Sequence, residues 1–129
     1  MILDSSVLIA ILFDEPEADG LAATIAGADR LAMAAPTLVE ATMVTEGRAS
    51  PGMREKLEAL MATIDPEVVP FTAEHAGLAI DGWRRFGKGR HPAGLNLGDC
   101  FAYALAKARG EPLLFKGDDF ARTDVKVAI

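Results

Sequence analysis

Short apolar runs alternate with longer segments of helical pattern along the chain, and this alternation limits the fold more than any other feature. Five runs have the length and apolar character of strands: residues 1–3, 30–34, 67–71, 112–115 and 125–128. Short apolar strands of this kind are typical of a parallel sheet that helices cover on both faces. The sequence therefore predicts a three-layer α/β/α domain with a mainly parallel central sheet and right-handed crossovers.

The segments between these runs carry helical spacing and helix-boundary residues. Thr72 is suited to cap the fifth helix, and Gly110 is suited to end the sixth. No internal repeat or long linker divides the 129 residues, so we expect one domain spanning 1–129. The predicted helices are residues 5–13, 17–28, 36–48, 51–64, 72–86 and 97–109.

Charge and composition exclude some classes of protein. The net charge of −6 argues against a general nucleic-acid coat protein, but not against a metal-dependent enzyme that acts on phosphates. No apolar run approaches the roughly 20 residues that span a bilayer, and the N-terminus lacks the features of a signal peptide. Cys100 is the single cysteine, which fits a reducing compartment. We expect a cytoplasmic protein without a membrane segment.

Acidic residues follow two of the predicted strands. Asp4 comes directly after the first apolar run, and Asp118 and Asp119 come shortly after the fourth. The carboxyl ends of strands form the edge where ligands bind in open α/β sheets. The alternatives are that Asp4 only caps the next helix and that Asp118 and Asp119 only form a solvated turn.

Glu40 is the one charged residue between Leu31 and Thr45. A helix this apolar is expected to be largely buried, and a buried carboxylate costs several kcal/mol unless it is paired or bound to metal. The sequence therefore marks Glu40 as a candidate site residue. The alternative is that Glu40 lies on a single solvent-facing stripe of its helix.

Asp99 begins the sixth predicted helix, three residues after Asn96. Asn96 is a good N-cap, and Asp99 at the third helical position completes a variant of the capping box, worth about 0.5–2 kcal/mol with the helix dipole. A purely structural role is therefore open. A carboxylate at a helix start can also cap and bind a metal together.

Taken together, these acids predict a metal site at one edge of the sheet. Close carboxylates repel and raise one another's pKa values unless a cation neutralises them. Mg²⁺ or Mn²⁺ suits such oxygen ligands, and a bound ion can activate water against a phosphodiester.

Basic residues cluster shortly before Asp99, at Arg84, Arg85, Lys88 and Arg90. They could guide a phosphate backbone towards the acids, or they could form a solvated loop with no ligand. Residues 82–89 half-match a phosphate-binding loop, but they follow a helical pattern rather than a strand, so we reject a nucleotide site there.

Four motifs together resemble the PIN-domain ribonucleases, specifically toxins of the VapC type. They are Met1-Ile2-Leu3-Asp4-Ser5-Ser6, the helix of Glu40, Gly94-Leu95-Asn96-Leu97-Gly98-Asp99-Cys100, and Leu113-Leu114-Phe115-Lys116-Gly117-Asp118-Asp119-Phe120. The resemblance implies a PIN-like α/β/α fold and Mg²⁺-dependent endonuclease activity on RNA, with Mn²⁺ as a substitute. It makes Asp4 and Asp99 the principal ligands.

The same resemblance assigns further roles. Glu40 would complete the site, Ser6 would steady Asp4, and the fourth acid would be Asp118 or Asp119, with Asp118 narrowly favoured. The family also implies a VapB-type antitoxin whose tail brings an arginine to the acids, and a homodimer formed through helices.

Two alternatives to a toxic endoribonuclease are a receiver-like signalling domain and a module that binds RNA or antitoxin without turnover. A receiver needs an aspartate at the end of its third strand. The run at 67–71 ends in none, although Lys116 superficially suits a receiver.

Overall fold

A four-stranded parallel sheet forms the centre of the molecule in the computed structural model, which describes residues 1–128. The sheet order is β3-β2-β1-β4, and Ile2 of the first strand pairs with both Ala32 and Leu113. The strands are β1 (Ile2–Leu3), β2 (Ala32–Ala34), β3 (Glu67–Val69) and β4 (Leu113–Leu114). The predicted α/β/α fold with a parallel sheet is confirmed.

Each of the predicted helices is present, and the last has the predicted bounds. Thr72 caps the fifth helix through its side chain, and Gly110 ends the sixth in the left-handed conformation with φ 61°. Within residues 1–128, none of these helices is both long and apolar enough to cross a membrane. The helices are α1 (Ser5–Leu12), α2 (Ala18–Ala26), α3 (Ala35–Gly47), α4 (Met53–Ile64), α5 (Ala73–Phe86) and α6 (Leu97–Arg109).

The fifth predicted strand, at 125–128, is wrong as a strand. Only an isolated bridge between Val127 and Leu113 forms there. Val125 packs its side chain into the core, and the preceding Asp124 accepts hydrogen bonds from Tyr103 and Lys107. The backbone pairs with β4 only around Leu113, whose N–H donates to the Lys126 carbonyl at 2.8 Å and whose carbonyl accepts from the Ala128 N–H at 2.9 Å, so the pairing is a single bridge rather than a strand.

The two faces of the sheet are covered by different helices. Leu3 and Met33 pack into a core with residues of α1, α2 and α4, while Ile2 packs with residues of α5, α6 and the segment after β4. Neighbouring residues of β1 therefore point into opposite cores, as expected for a strand buried on both faces.

Helix α3 is not largely buried, contrary to the sequence prediction. It packs against α1 and α4 on one side and buries Thr37, Ala41 and Thr45. On its other side Val39 is 57% exposed and Met43 is 70% exposed. Part of the apolar pattern of this helix therefore forms surface rather than core.

The order of the strands creates a crevice at the carboxyl end of the sheet. From β1 the chain crosses to β2 and β3 on one side, whereas β4 lies on the other side of β1. Connections that leave in opposite directions open a crevice between β1 and β4, where ligands bind in folds of this type. Asp4 lies at this point.

Gly82 of α5 gives a test of how tightly the layer of α5 and α6 is packed. An added Cβ would lie 2.5 Å from Cδ1 and 2.6 Å from Cε1 of Tyr103, whose ring is buried and whose hydroxyl donates to Asp124. We expect Gly82→Ala to lower the free energy of unfolding by about 1–3 kcal/mol, since overpacking forces neighbours to shift. Urea denaturation measures this loss.

The matched control is Gly77→Ala in the same helix, where an added Cβ has nothing within 4 Å. It should gain about 0.5–1 kcal/mol, because alanine is the better helix former. Equal effects of the two substitutions would contradict the packing argument.

Candidate active site

Asp4 is a helix cap and a buried carboxylate at once. It directly follows β1, its backbone N–H donates to the Leu114 carbonyl at 3.0 Å, and its Oδ2 accepts from the Ser6 N–H at 3.1 Å. The residue is only 3% exposed. Its Oδ1 is buried and has no hydrogen-bond partner among the described residues. The cap thus uses one oxygen and leaves the other available to a ligand.

Glu40 is turned towards the start of α1 by a hydrogen bond. The Ser5 hydroxyl donates to Oε1 of Glu40 at 2.6 Å, and the glutamate is partly buried although Val39 beside it is exposed. Glu40 therefore lies at the border of the exposed stripe, with its carboxylate directed inward. Ser5 was not predicted from the sequence, where its only signal is its position beside Ser6 after the first acid.

Asp99 forms the capping box that the sequence predicts. Its backbone N–H donates to Oδ1 of Asn96 at 2.9 Å, and its own Oδ2 accepts from the Asn96 N–H at 3.0 Å. This reciprocal pair fixes the carboxylate at the first turn of α6. Asn96 therefore holds the carboxylate of Asp99 in place through the capping box.

The pKa values show that the acids form one electrostatic cluster. Burial raises the pKa of Asp4 from 3.8 to about 7, hydrogen bonds from Ser6 oppose this rise, and the charges of Asp99 and Glu40 add to it. Burial also raises the pKa of Asp99 to about 6, opposed by the Asn96 N–H and reinforced by the charges of Glu40 and Asp119. Folding has brought the distant acids together.

The segment after β4 brings its acids to the same edge. Ser6 accepts a hydrogen bond from the Lys116 N–H at 3.0 Å through its hydroxyl, which ties this segment to α1. Asp118 and Asp119 are both exposed, and Asp119 is the one whose charge raises the pKa of Asp99. This coupling gives no support to the narrow preference for Asp118.

The donor set fits a hard divalent cation in its chemistry. It offers carboxylate oxygens, shared negative charge and Oδ1 of Asp4, which has no hydrogen-bond partner in the part of the chain that the structure describes. Within residues 1–128, no three acidic, histidine or cysteine side chains converge closely enough to hold an ion as they stand. Glu40 and Asp99 each have an oxygen bound to a protein donor, Ser5 and Asn96 respectively.

The basic residues before Asp99 are all exposed, but they differ in their contacts. Arg85 lies 3.3 Å from carboxylate oxygens of Asp81 and Asp124, and the guanidinium of Arg90 stacks 4.3 Å from the centre of the Trp83 ring. Lys88 lies in a groove with Asn96 and Leu97, at the start of α6. Arg84 is exposed on the last turn of α5. The half-matched phosphate loop is the end of this helix, which agrees with its rejection.

Known proteins are similar to this chain in sequence. The model of the PIN domain family matches residues 1–126. A ribonuclease VapC from Mycolicibacterium smegmatis is 46% identical over 126 residues, which cover 97% of each chain.

Solved structures are similar as well. A member of the VapBC family of toxin–antitoxin systems from Mycobacterium tuberculosis aligns with a TM-score of 0.67 at 25% identity, covering 98% of this chain and 92% of that one. VapBC2 from Rickettsia felis, bound to a DNA fragment from its promoter, aligns with a TM-score of 0.74 at 13% identity, covering 98% and 94%.

The raised pKa of Asp4 predicts how the stability of the metal-free protein depends on pH. The pKa of Asp4 is higher in the folded protein than in the unfolded chain, so the folded state binds the proton of this carboxyl more tightly. Proton binding by Asp4 therefore stabilises the fold fully below about pH 4, and this stabilisation is lost as the pH rises through about 7. A tenfold difference in proton affinity corresponds to roughly 1.4 kcal/mol. We expect the free energy of unfolding of the wild type to fall by a few kcal/mol relative to Asp4→Asn over this range.

Asparagine keeps the helix cap but does not titrate, so Asp4→Asn isolates the effect of the carboxylate. Urea denaturation in the presence of a chelator, at a series of pH values, measures the difference. If the free energy of unfolding depended on pH in the same way for the two proteins, the raised pKa of Asp4 would be contradicted.

Proposed function

This chain belongs to the PIN-domain family and, within it, to the VapC ribonucleases, and we propose that it is the toxin of a toxin–antitoxin pair. Its activity is metal-dependent endonucleolytic hydrolysis of RNA phosphodiester bonds. One observation carries the proposal. Asp4 is almost fully buried at the carboxyl end of β1, its Oδ1 has no hydrogen-bond partner among the described residues, and its carboxylate is electrostatically coupled to Glu40 and Asp99. Helix capping accounts for Asp4 and Asp99, but not for the inward-directed carboxylate of Glu40.

We assign Asp4 and Asp99 as the principal ligands of Mg²⁺, with Mn²⁺ as a substitute. Glu40 completes the site, and Asp119 is favoured over Asp118 as the fourth acid because its charge acts on Asp99. A divalent ion held by these residues would neutralise the acids and would supply the means to activate water for attack on the phosphodiester. The cap of α1 fixes Asp4, the capping box fixes Asp99, and Ser6 steadies Asp4 through its hydrogen bonds.

The basic residues bind the phosphate backbone of the RNA in this proposal. Lys88 is the best placed because its groove adjoins Asn96, and Arg84 and Arg90 extend the positive surface. Arg85 contributes less charge because Asp81 and Asp124 partly neutralise it. The proposed substrate is single-stranded RNA, which presents its phosphates without a fixed groove.

The proposed partners are a VapB-type antitoxin and a second copy of the chain. The solved VapBC relative is a member of a family of toxin–antitoxin systems and has the same fold. Exposed apolar side chains at Val39, Met43 and Leu97 offer a surface that suits a protein partner.

We further propose that residues 1–129 act as one domain in the cytoplasm. A receiver role is disfavoured, since β3 ends at Val69 and is followed by Pro70 rather than an aspartate.

Asp4→Asn and Asp99→Asn should each abolish RNA cleavage while the fold stays intact. We expect losses of more than about 100-fold, because partners outside the ligand shell already cost 10–100-fold in metal sites. Cleavage of RNA with Mg²⁺ supplied measures the effect, and circular dichroism checks the fold. Asp19→Asn, on the exposed surface of α2, is the matched control and should cleave normally.

The same assay tests the metal. A chelator should stop cleavage by the wild type, and added Mg²⁺ or Mn²⁺ should restore it. Unchanged cleavage by either site variant, or full activity in the chelator, would exclude the proposed mechanism.

The neighbouring pair Asp118 and Asp119 allows an internally controlled test of the fourth acid. Both are exposed, so replacing either with asparagine should leave the fold unchanged. We expect Asp119→Asn to reduce cleavage by roughly 10–100-fold and Asp118→Asn to change it by less than about threefold. The opposite order of effects would return the fourth position to Asp118.

A further inference from the structure

Gly98 lies directly against the carboxylate of Glu40. It is buried in the first turn of α6, between the exposed Leu97 and the capping Asp99. An ideal Cβ at this position would overlap the glutamate, lying 2.6 Å from Oε1 and closer still to Cδ and Oε2. The carboxylate of Glu40 therefore occupies the space that a side chain at position 98 would fill.

Backbone conformation does not explain this glycine. Gly98 is not among the residues with positive φ, so its backbone is open to any amino acid. A glycine inside a helix costs up to about 1 kcal/mol relative to alanine. Helical positions Gly20, Gly47 and Gly77 have open space where a Cβ would be, so an added methyl meets nothing there. Gly98 differs from them in its contact with an acid.

Ser5 holds the same carboxylate through the hydrogen bond to Oε1. Ser5 begins α1 next to Asp4, and Gly98 begins α6 next to Asp99. The carboxylate of Glu40 thus lies between the two chain segments that carry the other acids. Its helix also bears the exposed Val39 and Met43, so solvent lies close to Glu40 on that side.

We propose that Gly98 and Ser5 are positioning residues of the active site: Gly98 supplies the space, and Ser5 the hydrogen bond, that hold Glu40 beside Asp4 and Asp99. This inference rests on the proposed metal-dependent function. It predicts that a single methyl group at Gly98 displaces Glu40 towards solvent. Affinity for a divalent cation then falls although every acid is still present.

The test is Mn²⁺ binding to the purified protein without RNA, measured by isothermal titration calorimetry. Gly98→Ala should weaken Mn²⁺ binding by about 10–100-fold, as expected for groups that orient metal ligands. Ser5→Ala should weaken it less, and Ser5→Thr, which keeps the hydroxyl, should bind nearly as the wild type does. Gly77→Ala is the matched glycine control and should leave the affinity unchanged.

A double-mutant cycle separates positioning from a general effect on α6. In a Glu40→Ala background, Gly98→Ala should cause no further loss of affinity, because the displaced carboxylate is already absent. In that background and in a chelator it should also raise the Tm by about 2–4 °C, since alanine is then only a better helix former. This second readout requires neither metal nor activity. A loss of affinity or stability that is the same with and without Glu40 would overturn the inference.

The result for the wild type separates this inference from the proposed function. If the wild type does not bind Mn²⁺, the metal-dependent function fails and the inference fails with it. If the wild type binds Mn²⁺ and Gly98→Ala binds it equally well, the function stands and only the role of Gly98 is overturned.

Discussion

The burial of an acid close to other acids is the constraint on which the site of this structure depends. Asp4 is buried beside two further carboxylates, and burial together with their charges raises its pKa far above the ordinary value. Each of the three acids has a local hydrogen-bond donor, since Asp4 caps α1, Asp99 closes the capping box of α6, and Glu40 accepts from the Ser5 hydroxyl. The carboxylates of Asp4 and Asp99 thus stabilise helix starts and also belong to the acidic cluster.

The sheet determines where the acids meet. Because β1 lies between β2 and β4, its carboxyl end opens into the crevice of the parallel sheet. The helices that begin around this edge supply the remaining parts: α3 carries Glu40, α6 carries Asp99, and the segment after β4 is tied to Ser6. Asp4 and Asp99 therefore lie at helix starts, where backbone N–H groups stabilise negative charge, whereas Glu40 lies in the second turn of α3.

The sequence predicted the features that depend on local chemistry. Alternating apolar runs and helical spacing predicted the layers, and Asn96 followed by Asp99 predicted a capping box that the structure contains. Features that depend on contacts between distant segments could not be predicted from the sequence. Burial along α3 was overestimated because apolar spacing does not say which faces meet other helices, and the bond from Ser5 to Glu40 joins residues that no local pattern connects.

Helix α3 places two kinds of surface on adjacent residues. Glu40 belongs to the acidic cluster, and its neighbour Val39 belongs to the exposed apolar stripe that continues to Met43. A molecule that covers this stripe necessarily comes within one residue of the acids. If the proposed partner binds this stripe, its contacts and the acidic cluster share one helix, and a substitution that shifts α3 displaces both.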